Sequence, residues 1–155
     1  MIQNIIANDR APWALNDNTP DKHQKILNHL AKIATAVSPV RHARLASCVT
    51  YKGMIIAYGT NKFKSHPFQK IFGKNSDAIF LHSEVDVLCR ARRYLDERDL
   101  SKATLYVCRV KYDDFKRRKM VFGMAKPCIG CERALASFGM KNVIYTLDEE
   151  GYDIL

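Results

Sequence analysis

The chain lacks any long hydrophobic run: none of its apolar stretches approaches the ~20 residues that cross a bilayer. Its first fifteen residues mix charged, amide and proline side chains, so they do not have the pattern of a secretory signal. Cysteines are few, and their odd number, five, argues against a complete disulfide framework. We therefore expect no membrane partner and a reducing, cytoplasmic location in which cysteines remain thiols or thiolates.

Acidic residues are also scarce. The chain has 16 Asp and Glu against 25 Lys and Arg, which gives a formal charge of +9 and a pI near 9.4. Basic residues cluster at 90–93, at 116–119 and as Lys62, Lys64, Lys70 and Lys74. Such an excess favours phosphate-bearing partners, although a solvated basic face explains each cluster equally well. The charge does not distinguish a single nucleotide from a polynucleotide.

No linker, repeat or low-complexity segment interrupts the chain, and 47% of its residues are hydrophobic. A length of 155 residues suits one domain with a sizeable core. We therefore predict a single domain over residues 1–155, in which residues 1–18 form a polar N-terminal extension.

Hydrophobic periodicity predicts elements in the order α–β–β–α–β–α–β, followed by a short tail. The helices are predicted to begin at Thr19-Pro20, at Ser83 and near Cys128, and to end at Ser38-Pro39, about Asp96 and Phe138-Gly139. Strands are predicted over 44–50, 54–59, 103–110 and 142–147, with basic loops over 60–81 and 111–126. Residues 148–151 suit a hairpin turn from which 152–155 return antiparallel. The predicted fold class is α/β, with three α-β-α layers and a mixed five-stranded sheet that ends in an antiparallel hairpin.

Two short motifs carry chemistry: His82-Ser83-Glu84 and, downstream, Pro127-Cys128-Ile129-Gly130-Cys131. Because Cys128 and Cys131 are three residues apart, a first helical turn puts both sulfurs on one side. The positive end of a helix lowers the pKa of a thiol and favours the thiolate that zinc needs. Together with the imidazole of His82, the two thiolates predict one zinc ion per chain, bound by three protein ligands and one water.

Cys128 and Cys131 are also compatible with a redox pair or with half of a structural zinc site. A structural site needs four protein ligands, and Cys89, seven residues after His82, would lie ~10 Å farther along a helix. The upstream triplet favours the catalytic site, because it places Glu84 beside the metal rather than on it. We predict that Glu84 is the catalytic general acid and base, which accepts a proton from the metal-bound water and passes it to the reacting group.

The pattern H-x-E…P-C-x-x-C is the signature of zinc deaminases that act on nucleobases, and the chain resembles the cytidine deaminase superfamily over about residues 20–147. The resemblance implies a cytidine-deaminase-like fold, zinc as the cofactor and a homo-oligomer. Members often carry an Asn at the end of the second strand that contacts the nucleoside, and Asn61 occupies the like position. Ser83, Lys64 and His66 complete the predicted substrate contacts, with side chains of the basic loop holding a phosphate.

Residues 65–69 and 81–86 also resemble small phage proteins of the deoxycytidylate deaminase type. The hairpin ending departs from the deoxycytidylate enzymes, in which a further helix leads to a parallel fifth strand. It resembles the free-nucleoside enzymes, but those usually carry Cys where this chain has His82. The expected function is zinc-dependent hydrolysis of cytosine to uracil in a (deoxy)cytidine nucleoside or nucleotide such as dCMP. Two alternatives stay open: a deaminase of bases in single-stranded DNA or RNA, and a non-catalytic zinc-stabilised module.

Overall fold

The first helix among the described residues begins at an acidic cap. A computed structural model describes residues 21–40, 43–73 and 80–155, and in it helix α1 covers Lys22–Thr35. The side chain of Asp21 accepts a hydrogen bond from the Gln24 amide at 2.8 Å, which satisfies one of the free amides of the first turn. The predicted start at Thr19-Pro20 and the extension over 1–18 lie outside the described residues.

The other elements of the described residues alternate between strands and helices. In chain order they are β1 (Arg44–Tyr51), β2 (Met54–Thr60), β3 (Lys62–Ser65), α2 (Pro67–Phe72), β4 (Phe80–Leu81), α3 (Ser83–Ala91), α4 (Glu97–Leu100), β5 (Thr104–Tyr112), β6 (Met120–Gly123), α5 (Ile129–Ser137), β7 (Asn142–Thr146) and β8 (Tyr152–Ile154). None of the helices in this part of the chain has the length and hydropathy to cross a membrane.

The main sheet is mixed and runs in the order β2-β1-β5-β7-β8. β5 and β7 pair in parallel, whereas the other neighbours are antiparallel. β8 returns against β7 with Ile144 opposite Ile154, so the predicted hairpin ending is confirmed. The five predicted strands form this path. β6 is a sixth strand, which pairs with residues 109–112 of β5, whereas β7 pairs with residues 104–107 of the same strand.

Helices cover both faces of this sheet, as the three-layer prediction requires. α1 packs Leu27, Leu30 and Ala34 on one face, against alternate residues of β1 and β5 such as Cys48 and Tyr106. α3 and α5 pack on the other face, where their apolar side chains share a second core with Val49, Leu105 and Val107. The side chains of the strands that face α3 and α5 therefore lie on the side of the sheet that carries the His82-Ser83-Glu84 and Cys128–Cys131 motifs.

Three loop and boundary predictions are wrong. The 60–81 segment contains the β3–β4 ribbon and α2, because His66 caps Pro67–Phe72 and Pro67 suits a first helical turn. α3 ends at Ala91 rather than near Asp96, since Asp96 and Asp99 form a capping box that starts α4. The 111–126 loop includes β6, a four-residue strand that exists only through its pairing with β5.

Gly59 fixes how closely α3 approaches the sheet. A Cβ added at Gly59 would lie 2.5 Å from the Ser83 carbonyl oxygen and 2.6 Å from the Val87 amide nitrogen. Gly59→Ala should therefore push the first turn of α3 away and lower the free energy of unfolding by about 1–3 kcal/mol. Urea denaturation measures this cost.

Gly53→Ala is the matched control for this substitution. Its added Cβ would meet no atom within 4 Å, and only its backbone φ of +77° opposes a side chain. We expect Gly53→Ala to lower the free energy of unfolding by about 1 kcal/mol and to leave metal binding unchanged. A Gly59→Ala variant that is no less stable than Gly53→Ala would contradict the role assigned to Gly59.

Candidate metal centre and substrate cavity

Two helix N-termini meet at the motif residues. His82 is the N-cap residue of α3 and Cys128 is the N-cap residue of α5. The Nδ1 atom of His82 lies 3.4 Å from the Cys128 sulfur and 3.3 Å from the Cys131 sulfur. The ligand atoms of His82, Cys128 and Cys131 all lie within 4.8 Å of one another. The structure thus brings together the imidazole and both sulfurs that the sequence singles out.

These three atoms fit one zinc ion. Tetrahedral zinc with bonds of ~2.0–2.3 Å holds neighbouring nitrogen and sulfur ligands ~3.5 Å apart, and the two nitrogen–sulfur distances agree to within a few tenths of an ångström. In the part of the chain that the structure describes, the metal-ligating group consists of these three residues, without Cys89 or Glu84. Three protein ligands leave a fourth position of a tetrahedral ion for solvent or substrate.

A close contact between two helices explains why Gly130 stands between the two cysteines. The start of α5 packs against the end of α2, and a Cβ at Gly130 would lie 2.8 Å from the carbonyl oxygen of Phe72. A larger residue would separate the two helices and move the sulfurs away from His82. The sequence Cys128-Ile129-Gly130-Cys131 therefore combines ligand spacing with a close helix contact.

The electrostatics of the sulfurs favour binding of a cation. The neighbouring Cys131 thiol, together with His82, lowers the pKa of Cys128 to about 3, and the Cys131 amide donates a hydrogen bond to the Cys128 sulfur at 3.5 Å. The same contact with Cys128 and burial raise the pKa of Cys131 well above its usual value. Two sulfurs this close favour one thiolate and one thiol, and a divalent cation that binds both displaces the remaining proton.

Glu84 is a buried carboxyl group beside the ligands. It is only 3% exposed, and its Oε2 accepts a hydrogen bond from the Ser83 hydroxyl at 3.0 Å. Burial raises the pKa of Glu84, while the charge of His82 acts in the opposite direction. A carboxyl group with a raised pKa exchanges protons more readily near neutral pH than an exposed one. Its position and environment suit a proton carrier rather than a ligand.

A cavity of about 360 Å³ opens over this group. His82, Glu84 and Cys128 line it together with the predicted contacts Asn61 and Ser83. The Asn61 side chain accepts a hydrogen bond from the Leu45 amide and donates one to the Ala43 carbonyl, at 2.8 and 2.9 Å. These two bonds fix the Asn61 amide at the cavity wall, and Ala43 and Leu45 also line the cavity.

Lys64 and His66 lie outside the lining of this cavity. Lys64 is exposed on β3, and the Nδ1 atom of His66 accepts a hydrogen bond from the Phe68 amide at the start of α2. Phe68 packs on Phe72 and Phe138, so the aromatic residues of α2 contribute to a small core. The substrate roles of Lys64 and His66 stay predictions.

Gln69 is a site residue that the sequence reasoning missed. It lies on α2, is 1% exposed, and its Oε1 accepts a hydrogen bond from the His82 amide at 3.0 Å. Its side chain also acts to lower the pKa of the Cys131 thiol, against the larger effects of Cys128 and burial. Gln69 thus connects the two segments that supply the ligands. No motif marks it, because a glutamine in a short helix is common and its partners are distant in sequence.

Gln69→Met should weaken the metal centre without removing a ligand. The substitution leaves the buried His82 amide without its acceptor, which costs about 1–3 kcal/mol. Loss of such an outer contact lowers metal affinity about 10–100-fold. Competition with a chromogenic chelator measures the affinity. Gln24→Met on α1, where the Gln24 amide donates to Asn28, is the control and should keep the wild-type affinity. Equal affinity of wild type and Gln69→Met would contradict this role.

The overall fold is similar to that of dCMP deaminase from the cyanophage S-TIM5. The apo crystal structure of that protein aligns with a TM-score of 0.55 and 18% sequence identity, covering 85% of this chain and 87% of that chain. Its complex with dCMP and dUMP aligns with a TM-score of 0.53 and 18% identity, covering 82% of each chain. No curated protein gives a significant sequence match.

The sequence also matches a family model, the zinc-binding region of cytidine and deoxycytidylate deaminases, over residues 20–147. The matched region spans most of the chain and includes both helix N-termini that form the metal-binding group. A histidine, two cysteines and an adjacent buried carboxyl group are the parts expected in such a region. This chain therefore belongs to the cytidine and deoxycytidylate deaminase family.

Proposed function

We propose that this protein is a zinc-dependent hydrolase that converts cytosine to uracil, with release of ammonia, in a (deoxy)cytidine nucleoside or nucleotide such as dCMP. The observation that supports it best is the buried Glu84 beside three convergent metal-ligand atoms at the floor of a cavity. In this proposal His82, Cys128 and Cys131 hold the ion, and Asn61 and Ser83 contact the substrate.

The chemistry divides between the ion and the chain. When bound, zinc activates water for attack and neutralises the two thiolates. Glu84 accepts a proton from the attacking water and gives it to N3 of the ring. It then takes the remaining proton from the oxygen added at C4 and delivers it to the amino group that leaves C4. A C–O bond forms, the C4–N bond breaks, and water and cytosine become uracil and ammonia. The Ser83 hydroxyl, 3.0 Å from Oε2, orients the carboxylate for these transfers.

A non-catalytic zinc module is the weaker candidate. A structural ion takes four protein ligands, whereas three ligand side chains converge among the described residues. Burial of a carboxyl group costs free energy, which the hydrogen bond from the Ser83 hydroxyl to Glu84 offsets only in part. A purely structural ion would not require this carboxyl group. The open cavity and Glu84 therefore favour an enzyme.

A substrate panel tests the proposal. Zinc-loaded protein is incubated with deoxycytidine, cytidine, dCMP, CMP, dCTP, adenosine, guanine and single-stranded oligonucleotides, and ammonia release and the one-dalton mass gain are scored. We expect turnover of cytosine compounds and none of the purines. Zinc-loaded protein that turns over no cytosine compound, free or in a strand, would contradict the proposed function.

A further inference from the structure

Arg109 is a half-buried charged residue on β5, directly after the buried residues 105–108. It lies on β5 between Leu45 of β1 and Gly123 of β6, and it alternates with Tyr106, Cys108 and Val110, which face α1. Its side chain is therefore on the face of the sheet that carries the metal centre. Among the described residues, its buried Nε has no hydrogen-bond partner. A buried guanidinium nitrogen without an acceptor is costly, which points to an anionic ligand.

Arg109 is part of the walls of two cavities. One is the substrate cavity above the metal-ligating group. The other, also about 360 Å³, lies between the end of α1 and the β5–β6 hairpin. Its lining is basic and aromatic, and consists of Pro39, Arg44, Arg109, Lys111, Tyr112, Asp114, Phe115 and Arg117. The two cavities are thus adjacent across one side chain.

The charges in this second cavity are only partly neutralised. Lys111 pairs with Asp148 at 2.6 Å, and Asp114, the acidic residue of the lining, pairs with Arg118 at 3.0 Å. Arg44 donates hydrogen bonds to the carbonyl groups of Thr35 and Val37, which carry no net charge. The cavity therefore keeps a positive potential beside the substrate cavity.

Phe115 stands at this cavity with 91% of its surface exposed. It lies in the β5–β6 loop between Asp114 and the basic run 116–119. An exposed aromatic ring among basic residues is the arrangement on which proteins stack the bases of single strands, while lysine and arginine contact the phosphates. A lone nucleotide in the substrate cavity would not need this ring.

We propose that the second cavity binds the nucleotide that adjoins the target cytosine in a single-stranded nucleic acid. The inference rests on the proposed function and extends its substrate class from the free nucleotide to a cytosine within a strand. The target base occupies the cavity over Glu84, the phosphate between the two nucleotides contacts Arg109, and the neighbouring base stacks on Phe115 beside Arg117. A mononucleotide would fill the first cavity and place at most its own phosphate at Arg109.

Strand binding is tested first without catalysis. A short fluorescein-labelled oligo-dT with one central cytosine, and the RNA of matching sequence, are titrated by fluorescence anisotropy with Phe115→Ala, Phe115→Tyr and Arg117→Asn. Asn suits position 117 because its backbone φ is +57°. Lys116→Asn, in the same exposed loop but outside the cavity lining, is the matched control.

We expect Phe115→Ala to weaken strand binding about ten-fold with an unchanged salt slope, and Phe115→Tyr to retain it. Arg117→Asn should weaken binding and reduce the slope of log K against log salt by about 0.7. Comparison of the DNA with the RNA identifies the preferred sugar. Strand affinity within two-fold of wild type in both Phe115→Ala and Arg117→Asn, or a loss of affinity no larger than that in Lys116→Asn, would overturn the proposal.

Turnover is then compared between the strand and free dCMP. For Phe115→Ala, kcat/KM for the strand should fall about ten-fold relative to kcat/KM for dCMP. For Arg109→Met, kcat/KM for the strand and for dCMP should both fall relative to kcat/KM for deoxycytidine. Wild-type protein that turns over dCMP but neither strand would overturn the strand proposal and leave the proposed function intact. Strand binding that depends on Phe115 with no cytosine turned over in any compound would overturn the proposed function and leave the second cavity as a strand site.

Discussion

Glu84→Gln should abolish turnover while the protein stays folded and keeps its zinc. The amide cannot carry protons between water, ring and leaving group, and general acid–base catalysis contributes about 10²–10⁴-fold to such reactions. We expect kcat to fall about 1,000-fold or more. The amide oxygen of the substituted side chain can still accept the Ser83 hydroxyl hydrogen bond, which is 3.0 Å in the parent protein. Loss of a buried ionisable group should leave the melting temperature the same or higher.

The measurement is steady-state ammonia release, with zinc content by atomic spectroscopy and thermal denaturation on the same samples. Glu97→Gln, an exposed acid in the first turn of α4, is the control and should keep wild-type turnover. Turnover of the Glu84→Gln variant within a few-fold of wild type would contradict the role assigned to this carboxyl group. If Glu84→Gln loses its zinc together with its activity, Glu84 is a metal ligand rather than the proton carrier.

Cys131→Ser should have the second largest effect, through the metal. Cys131 is buried, lies 3.3 Å from the His82 Nδ1 atom, and belongs to the group of three side chains that could hold a metal ion. We expect zinc content to fall from one per chain to near none, and turnover to fall with it. Stability should also fall, by ~2.7 kcal/mol when zinc is present at a hundred times its Kd. Zinc content, ammonia release and thermal denaturation check these results.

Cys48→Ala separates metal loss from ordinary destabilisation. Cys48 is buried in the α1-facing core, and burial raises its pKa to about 12, so it remains a thiol that packs as an apolar group. Its truncation should cost stability but leave zinc and turnover in place. A chelator should lower the melting temperature of wild type and Cys48→Ala but not of Cys131→Ser. Full zinc occupancy in Cys131→Ser would contradict the ligand assignment.

The sequence was sufficient for the parts of the fold that local patterns determine. The helical periodicity of Ile26, Leu30, Ile33 and Val37, widened by Leu27 and Ala34, predicts α1. In the structure Leu27, Leu30 and Ala34 are buried against the sheet, whereas Ile26 and Ile33 are only partly buried. The acidic turn followed by Gly151 predicts the β7–β8 hairpin, and the structure pairs these two strands antiparallel. Residue type and spacing also predict the three side chains that the structure brings together, because few side chains bind zinc and two of them are three residues apart.

The missed features depend on pairing between distant segments. β6 is a strand because Met120–Gly123 hydrogen-bonds to β5, and α2 is short and lies within a basic stretch that favours a loop. Gln69 has a role only because α2 brings it to His82 and Cys131. Arg109 did carry a signal in the sequence, because an arginine that follows a run of apolar strand residues is rarely buried without a polar partner. The sequence does not show that Arg109 borders two cavities.

X-ray absorption at the zinc edge of the loaded protein tests the central claim most directly, because it reports what surrounds the ion. We predict two sulfur ligands at ~2.3 Å, one imidazole nitrogen and one exchangeable oxygen at ~2.0–2.1 Å. The oxygen contribution should change when a cytosine nucleotide or its uracil product is added. A shell of four protein ligands, or one that lacks the two sulfurs, would contradict an open metal centre built from His82, Cys128 and Cys131.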